Sequence, residues 1–563
     1  MKFLKSYNKM QAVTAMMGAL CCASCSDTWD DHYSTVSSGV INETLWEAIN
    51  SNSDLSNFAK VAQACGYDKT LGGSQTFTVF APTNNCLTSA QADSLIAVFQ
   101  EQQASGVKST ENTVITQFLK NHIALYKQSV SSVTSDSLKM MNGKYQLLNS
   151  TSIGGENFET KNVLYNNGIL YTLGGKMTYS PNIYEYLAMD QDLDSVYNFI
   201  KSFGKYEFDA SQSVPGNIVD GKTQYLDSVM TYRNTFFDEL GYLNNEDSTY
   251  WFVAPTNSEW KRLVEEYTPY FNYDTKVDNR DSLQYVYSRQ AILTASIFSR
   301  TNNPDAAIRD SALSTSAHPE GYYTYSPSEK RYNRFYRPFD AGGIFEGTNE
   351  TDLSNGKVLK ASEYRLSKYD TFLQKQIIEA ESSFYLDTLN NAIDPMTVRN
   401  VPTTNPFYGK VSGNSFVEVV PKAIGVQPTV TYRIPSVLSN VGYDIYVVFV
   451  PALAYEVFAT DEQRLPVRFR TRVGYQNSGV TKWERAKVGT TKPDVVDTVQ
   501  IQNNYKFKTT AMGLDESQAK VNIYTDVPSN QTSVYQTTMR IDCIIVKPHD
   551  APMSEARKYK ISH

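Results

Sequence analysis

Six cysteines and five histidines are few for 563 residues, and where they sit removes whole classes of chemistry. Cys21, Cys22 and Cys25 crowd the N-terminus, while Cys65, Cys86 and Cys543 are odd in number and far apart, which is no disulfide framework. Cys65 and Cys86 are a pair that an oxidising compartment would allow to bridge, but two buried thiols is the reading preferred. The histidines at 32, 122, 318, 549 and 563 never cluster, so zinc is not expected. No apolar run approaches the roughly 20 residues of a bilayer-spanning helix. Cationic excess is missing too: the net charge is −7, and removal of residues 1–24 would take away three lysines and no acid, leaving −10. Nucleic acid is therefore not an expected partner, because neutralising phosphate needs a basic surface. There is no G-x-S-x-G, no H-E-x-x-H, no phosphate-cradling loop and no dinucleotide fingerprint. The acidic residues show no arrangement that selects the two carboxylates of a glycosidase. The expectation is a protein without a cofactor and without an enzyme activity.

What is present begins at the N-terminus. Lys2 and Lys5 precede an apolar stretch from Met10 to Ala19, then Ala23-Ser24-Cys25, then Ser26-Asp27-Thr28-Trp29-Asp30-Asp31. A cationic start, a short hydrophobic segment and small residues before the cleavage point make an export signal. Small residues just before Cys25 and acids just after it resemble a Gram-negative lipoprotein signal, with Cys22 where an aliphatic residue is usual. The resemblance implies lipidation of Cys25 and a mature chain lipid-anchored in the outer membrane, exposed at the cell surface. An ordinary cleaved signal with an incidental Cys25 is the alternative. The remaining length suits about three or four domains, and 41% apolar residues with 12% aromatics suffice for globular cores.

Two segments read almost alike: Phe77-Thr78-Val79-Phe80-Ala81-Pro82-Thr83-Asn84 and Tyr250-Trp251-Phe252-Val253-Ala254-Pro255-Thr256-Asn257. Each predicts a buried aromatic and β-branched strand stopped by proline, followed by Thr-Asn side chains able to cap a helix. Thr256 and Glu259 have capping-box spacing. Upstream, Leu45-Trp46-Glu47 through Leu55 aligns without gaps onto Ile183-Tyr184-Glu185 through Leu193, both reading as amphipathic helices. The offset is 138 residues there and 173 at the strands, so the second copy carries about 35 extra residues, expected within 203–246. Repetition on this scale means two copies of one domain.

Val79-Phe80-Ala81-Pro82-Thr83-Asn84 resembles the first signature box of fasciclin-like domains, and Phe118-Leu119-Lys120-Asn121-His122-Ile123 the second. Met141-Asn142-Gly143-Lys144 and Asn166-Asn167-Gly168-Ile169-Leu170 resemble the hairpin and closing strand of that fold, and Asn-Gly pairs are turn signals in themselves. The second copy matches at its entry helix, at Val253–Asn257 and at Asn355-Gly356-Lys357-Val358-Leu359. The resemblance implies adhesion or extracellular binding, and a structural histidine at 122. The Tyr-His pair tied to integrin contact in some animal members is absent.

From about residue 400 the hydrophobic period becomes two. Val430, Tyr432 and Ile434 alternate with polar neighbours, Ile445–Val450 is a continuous apolar run, and further strands are expected at 467–475, 504–510, 520–524 and 535–547. Short strands between turn residues argue a β-sandwich, whose ending Met539–Pro548 resembles the last strand of jelly-roll modules of the carbohydrate-binding kind. The fold class expected is α+β multidomain: two fasciclin-like mixed α/β domains followed by an all-β, jelly-roll-like sandwich. The expected divisions are a signal at 1–24, a lipidated tether at 25–37, fasciclin-like domains at 38–181 and 182–395, the sandwich at 396–550 and a tail at 551–563.

Two groups stand out as ligand-binding candidates. Tyr322, Tyr323, Tyr325, Tyr332, Phe335 and Tyr336 are interleaved with Lys330, Arg331, Arg334 and Arg337, a mixture found at recognition surfaces and also in loops packed on their own domain. Arg468, Arg470 and Arg472 alternate with Val467, Phe469 and Val473, which puts three guanidinium groups on one strand face able to meet acidic glycans or carboxylates, or simply water. Asp190, Asp192 and Asp194 mimic a calcium loop, but Ser195 and Lys201 stand where glycine and a bidentate acid belong, so helix surface is the reading. The expected function is noncatalytic capture of extracellular polysaccharide as accessory to an outer-membrane nutrient-uptake system, which surface lipoproteins of this build resemble. Extracellular polysaccharide or a surface protein, the outer membrane and an outer-membrane transporter complex are the expected partners. The alternative is a protein-binding adhesin or structural scaffold, and a third reading is a polysaccharide-degrading enzyme, since two carboxylates from distant parts of the chain would suffice.

Overall fold

The computed structural model describes residues 39–130, 135–208, 210, 214–219, 222–227, 230–299, 311–313, 334–514 and 519–552. Cys25 and the tether lie outside the described residues. The chain divides into two compact units, Met1–Ser180 and Pro181–His563. Among the described residues no helix is long and apolar enough to cross a membrane.

In the first unit the strand Phe77–Pro82 is buried along its whole length. It runs parallel to Gly168–Leu173 and antiparallel to Ile123–Leu125, within a seven-stranded sheet. In the second unit Tyr250–Pro255 runs parallel to Gly356–Ala361 and antiparallel to Ile297–Ser299. The register is the same in both copies: Phe77 faces Gly168, and Tyr250 faces Gly356. A Cβ on Gly168 would lie 2.1 Å from the Phe77 carbonyl, and one on Gly356 1.7 Å from that of Tyr250, so glycine permits the close approach. The hairpin loops are Asn166-Asn167 and Ser354-Asn355, so each glycine opens the strand instead of forming the turn.

The entry helices Leu45–Ser51 and Ile183–Met189 both begin in full capping boxes, Thr44 with Glu47 and Asn182 with Glu185. The capping expected after the prolines is only partly found. Thr83 donates to the Leu173 carbonyl, and the next helix, Ser89–Ala104, is capped by Thr88 with Gln91. Thr256 does accept from the Glu259 amide, but the Glu259 carboxylate binds Arg262 and the Tyr364 amide, a stronger charged partner, so that box is half closed. The surplus of the second copy takes the form of paired strands at 204–208 with 230–234, and 214–219 with 222–227. Asp190 accepts from the Asp192 amide and pairs with Lys360, as helix-surface residues do.

The C-terminal region is two stacked sheets. One orders Thr397–Asn400, Ser415–Val419, Met539–Pro548, Gly442–Phe449 and Asp497–Lys506, with Gln376–Glu379 also on Met539–Pro548. The other orders Leu386–Asn390, Thr429–Ile434, Ala519–Thr525, Arg468–Asn477 and Val480–Trp483, with Lys487–Thr490 also on Arg468–Asn477. Phe449 and Phe469 join the sheets with ring centroids 4.5 Å apart. Two sandwich strands precede residue 396, where the change of period had put the start; they are short and carry mixed polarity, so alternation does not mark them. The strand expected at 504–510 ends instead at Lys506, just after Asn504 turns to positive φ. The second repeat and the sandwich share one hydrophobic core, which runs from Ile183 to Val546.

Candidate functional site

In the strand Arg468–Asn477 the period of two is realised residue by residue. Phe469, Thr471 and Val473 are buried against the other sheet, while Arg468, Arg470 and Arg472 are partly exposed on the outward face. The three candidate arginines thus share one face. Strand pairing brings others to it: Tyr524 stands beside Arg470, Asn522 beside Arg472, and Lys520 beside Gly474. One strand further, Thr429, Thr431 and Arg433 stand beside Tyr524, Asn522 and Lys520.

The middle row is a hydrogen-bonded ladder. Thr388 donates to Thr431 over 2.9 Å, and Asn522 Nδ2 donates to the same hydroxyl over 3.0 Å. Arg472 Nε then donates to Asn522 Oδ1 over 2.9 Å. The Arg472 guanidinium lies over the Trp483 ring, 4.6 Å from its centroid. Trp483 can lie down on the sheet because residue 474 is glycine: a Cβ there would meet the indole at 2.9 Å. Ion pairs border the ladder. Asp526 is shared by Arg468 at 3.3 Å and Arg470 at 3.0 Å, and Asp387 by Arg433 at 3.2 Å and Lys520 at 2.9 Å. The Tyr524 hydroxyl and the Trp483 indole N–H make no hydrogen bond among the described residues. The arrangement is a polar face with two partly exposed aromatic rings and a fixed guanidinium.

Of the tyrosine-arginine group, Tyr322, Tyr323, Tyr325 and Tyr332 lie outside the described residues. Tyr336 is 45% exposed on a two-stranded sheet of its own with Ser311–Leu313, whereas its neighbour Phe335 is buried against Phe298. Tyr336 therefore belongs to a different sheet from the arginines.

Sequence reasoning missed Trp483, Tyr524, Asn522, Lys520 and Arg433. Alternation within Thr429–Ile434 and Ala519–Thr525 would have placed the last four outward. Nothing local says that residues 429, 519 and 468 are neighbours.

A second grouping lies in the other sheet. Glu379, Asp542 and Cys543 bring their donor atoms within 4.8 Å of one another. Both Asp542 oxygens accept from the Ser412 amide at 3.1 Å, and Glu379 accepts from the Ser412 hydroxyl at 2.5 Å. Burial pushes the Asp542 carboxyl up to about 7, and Glu379 and Glu381 nearby add to the rise. Burial also holds the Cys543 thiol protonated. Oxygen donors of this kind suit a hard cation, whereas zinc would call on the thiolate. Cys65 and Cys86 are free thiols, and burial pushes Cys65 up to about 12. His122 is fully buried; its Nδ1 bonds the Phe118 carbonyl and its Nε2 accepts from the Met177 amide, a structural role.

Residues 53–175 match the family model of the Fasciclin domain. No curated protein matches the sequence. Among solved structures the chain is similar to a FAS1 domain pair from the insect cell adhesion molecule Fasciclin I, at 11% identity over 58% of this chain and 97% of that one, with a TM-score of 0.18. It is also similar to the C-terminal family 22 carbohydrate-binding module of Clostridium thermocellum Xyn10B, at 14% identity over 31% and 94%, with a TM-score of 0.19. A family 11 carbohydrate-binding module from Clostridium thermocellum, in complex with a β-1,3-1,4-mixed-linked tetrasaccharide, shares 10% identity over 32% and 98%, with a TM-score of 0.18. At these TM-scores the structural likenesses carry no argument.

Proposed function

We propose that the protein is a noncatalytic binder of extracellular glycan, held at the cell surface through Cys25 and serving an outer-membrane nutrient-uptake system. The observation that carries this reading is Trp483, laid flat over Gly474 beside Arg472 and close to the strand that bears Tyr524. Aromatic rings stack on the apolar faces of pyranoses. The ladder beneath, buried at Thr431 and Asn522 and internally bonded, holds the partly exposed Arg472 guanidinium beside the ring, where its remaining N–H donors can meet sugar oxygens. The Fasciclin domain at 53–175 fits an extracellular binding protein. The lipoprotein-like signal supports the anchor, and the resemblance to surface lipoproteins supports the link to uptake.

Binding of the full mature chain to a panel of neutral and anionic polysaccharides tests the reading. A Trp483→Ala/Tyr524→Ala variant is expected to lose about tenfold or more in affinity, as when buried aromatic anchors are truncated. Retention on no polysaccharide would leave a protein-binding scaffold. Anchoring has its own test in fractionated cells. The wild type is expected with the outer membrane and Cys25→Ala in the soluble fraction; a Cys25→Ala protein that stays with the membrane removes the anchor from the proposal.

A further inference from the structure

The outward face of the arginine strand has a sign as well as a shape. Arg433, Arg468, Arg470, Arg472 and Lys520 stand on it against two carboxylates, Asp387 and Asp526, each already shared between two cations. Three positive charges are left in excess, on a chain whose net charge is −7. Excess charge opposite in sign to the whole molecule, gathered on one face, marks the charge of what binds there.

Arg472 makes the case at one residue. It pairs with no carboxylate among the described residues, and its side-chain hydrogen bonding there is limited to Nε with Asn522. Asn522 is itself fixed by its bond to Thr431 and is 3% exposed. The Trp483 ring holds the guanidinium plane from one side. The two terminal amino groups of Arg472 are thus oriented in advance, without a protein acceptor among the described residues. A fixed guanidinium with a free pair of N–H donors fits a carboxylate or sulfate through two parallel hydrogen bonds.

We infer that this face selects anionic polysaccharide, a chain bearing carboxylate or sulfate groups, and that Arg472 is the residue that meets the charge. The inference rests on the glycan-binding reading above. An acidic protein would also be attracted by the charge. The aromatic rings of Trp483 and Tyr524 on the same face as Arg472 favour a sugar chain, whose pyranose faces stack on such rings.

Matched probes separate charge from sugar. The mature chain is titrated with polygalacturonate and with its methyl ester, which differ only in the charged group, then with dextran sulfate and dextran, and finally with poly-L-glutamate. The expected result is binding to polygalacturonate or dextran sulfate about tenfold or more tighter than to the neutral counterpart, the anionic probe preferred telling carboxylate from sulfate. That binding is expected to weaken as salt rises, since screening acts on exposed charges. Arg472→Gln is expected to lower it ten- to a hundredfold, the worth of a hydrogen-bonded charged contact, and Arg472→Lys to restore only part of it. Equal binding of charged and neutral partners overturns the inference while leaving the glycan reading intact. No binding to any polysaccharide overturns both. Tight binding of poly-L-glutamate with the same dependence on Arg472 makes the partner a protein. Arg472→Gln that binds like the wild type removes Arg472 from the site, and the salt and ester comparisons on the wild type hold whether or not the variant folds.

Discussion

His122 shows at the scale of one residue how burial fixes a chemical state. Its ring is fully buried, with Nδ1–H donating to the Phe118 carbonyl over 2.8 Å and Nε2 accepting from the Met177 amide over 3.2 Å. Protonation would abolish the acceptor and put a charge in the core, and burial accordingly pushes the imidazole down to about 4. The folded chain therefore refuses a proton that the unfolded chain accepts near pH 6.5. Stability from this group is complete above pH 6.5 and is lost as the pH falls from 6.5 towards 4, by roughly 3 kcal/mol in all. Amide exchange of the strand Gly168–Leu173 in denaturant reads this out. The wild type is expected to lose protection across that window more steeply than His122→Gln; equal slopes would mean that carboxylates elsewhere carry the whole effect.

At the scale of elements, the parts legible in the sequence were those with local periodicity. The two repeated strands at 77–82 and 250–255, the entry helices and the outward arginines all follow from local sequence, because a strand's faces and a helix's stripe are set by the chain itself. The asparagines were not legible. Asn167 Oδ1 accepts from the Leu45 amide while Nδ2 donates to the Leu71 and Gly73 carbonyls. Asn355 does the same in the second copy, accepting from the Ile183 amide and donating to the Leu243 and Asn245 carbonyls. Asn84 and Asn257 repeat a second such bracket, accepting from the Asn57 and Ser195 amides. Each side chain bonds backbone far away in the chain, and no window of sequence contains both partners. Trp483 was missed for the same reason: its meaning comes from Gly474 across a hairpin and from Arg472, two residues before that glycine. The half-closed box at Thr256 was misread because Glu259 has a better partner in Arg262, one turn along the helix.

At the scale of the molecule, the second unit joins two architectures that the hydrophobic period separates. The segment after the helix Asn257–Tyr267 is the join. Ser439 donates to the Pro269 carbonyl over 2.9 Å, the Thr510 amide to the Asn272 carbonyl over 2.8 Å, and Tyr273 to the Met512 carbonyl over 2.8 Å. Asp274 is 4% exposed and receives the amides of Ser478 at 2.7 Å, Gly479 at 3.1 Å and Lys276 at 2.9 Å. Bonds to a charged acceptor are the stronger kind, and they hold the tip of the hairpin that links the arginine strand to the Trp483 strand. With the core continuous across the join, the second repeat and the sandwich are expected to unfold together. Asp274→Ala removes the acceptor and is expected to cost about 1–3 kcal/mol. Because the core is shared, that cost should appear equally in the strands Tyr250–Pro255 and Gly442–Phe449 when their amide exchange is followed in denaturant. Strands that lose protection at separate denaturant concentrations would show two folding bodies, and the glycan-binding face would then owe nothing to the repeat it adjoins in the chain.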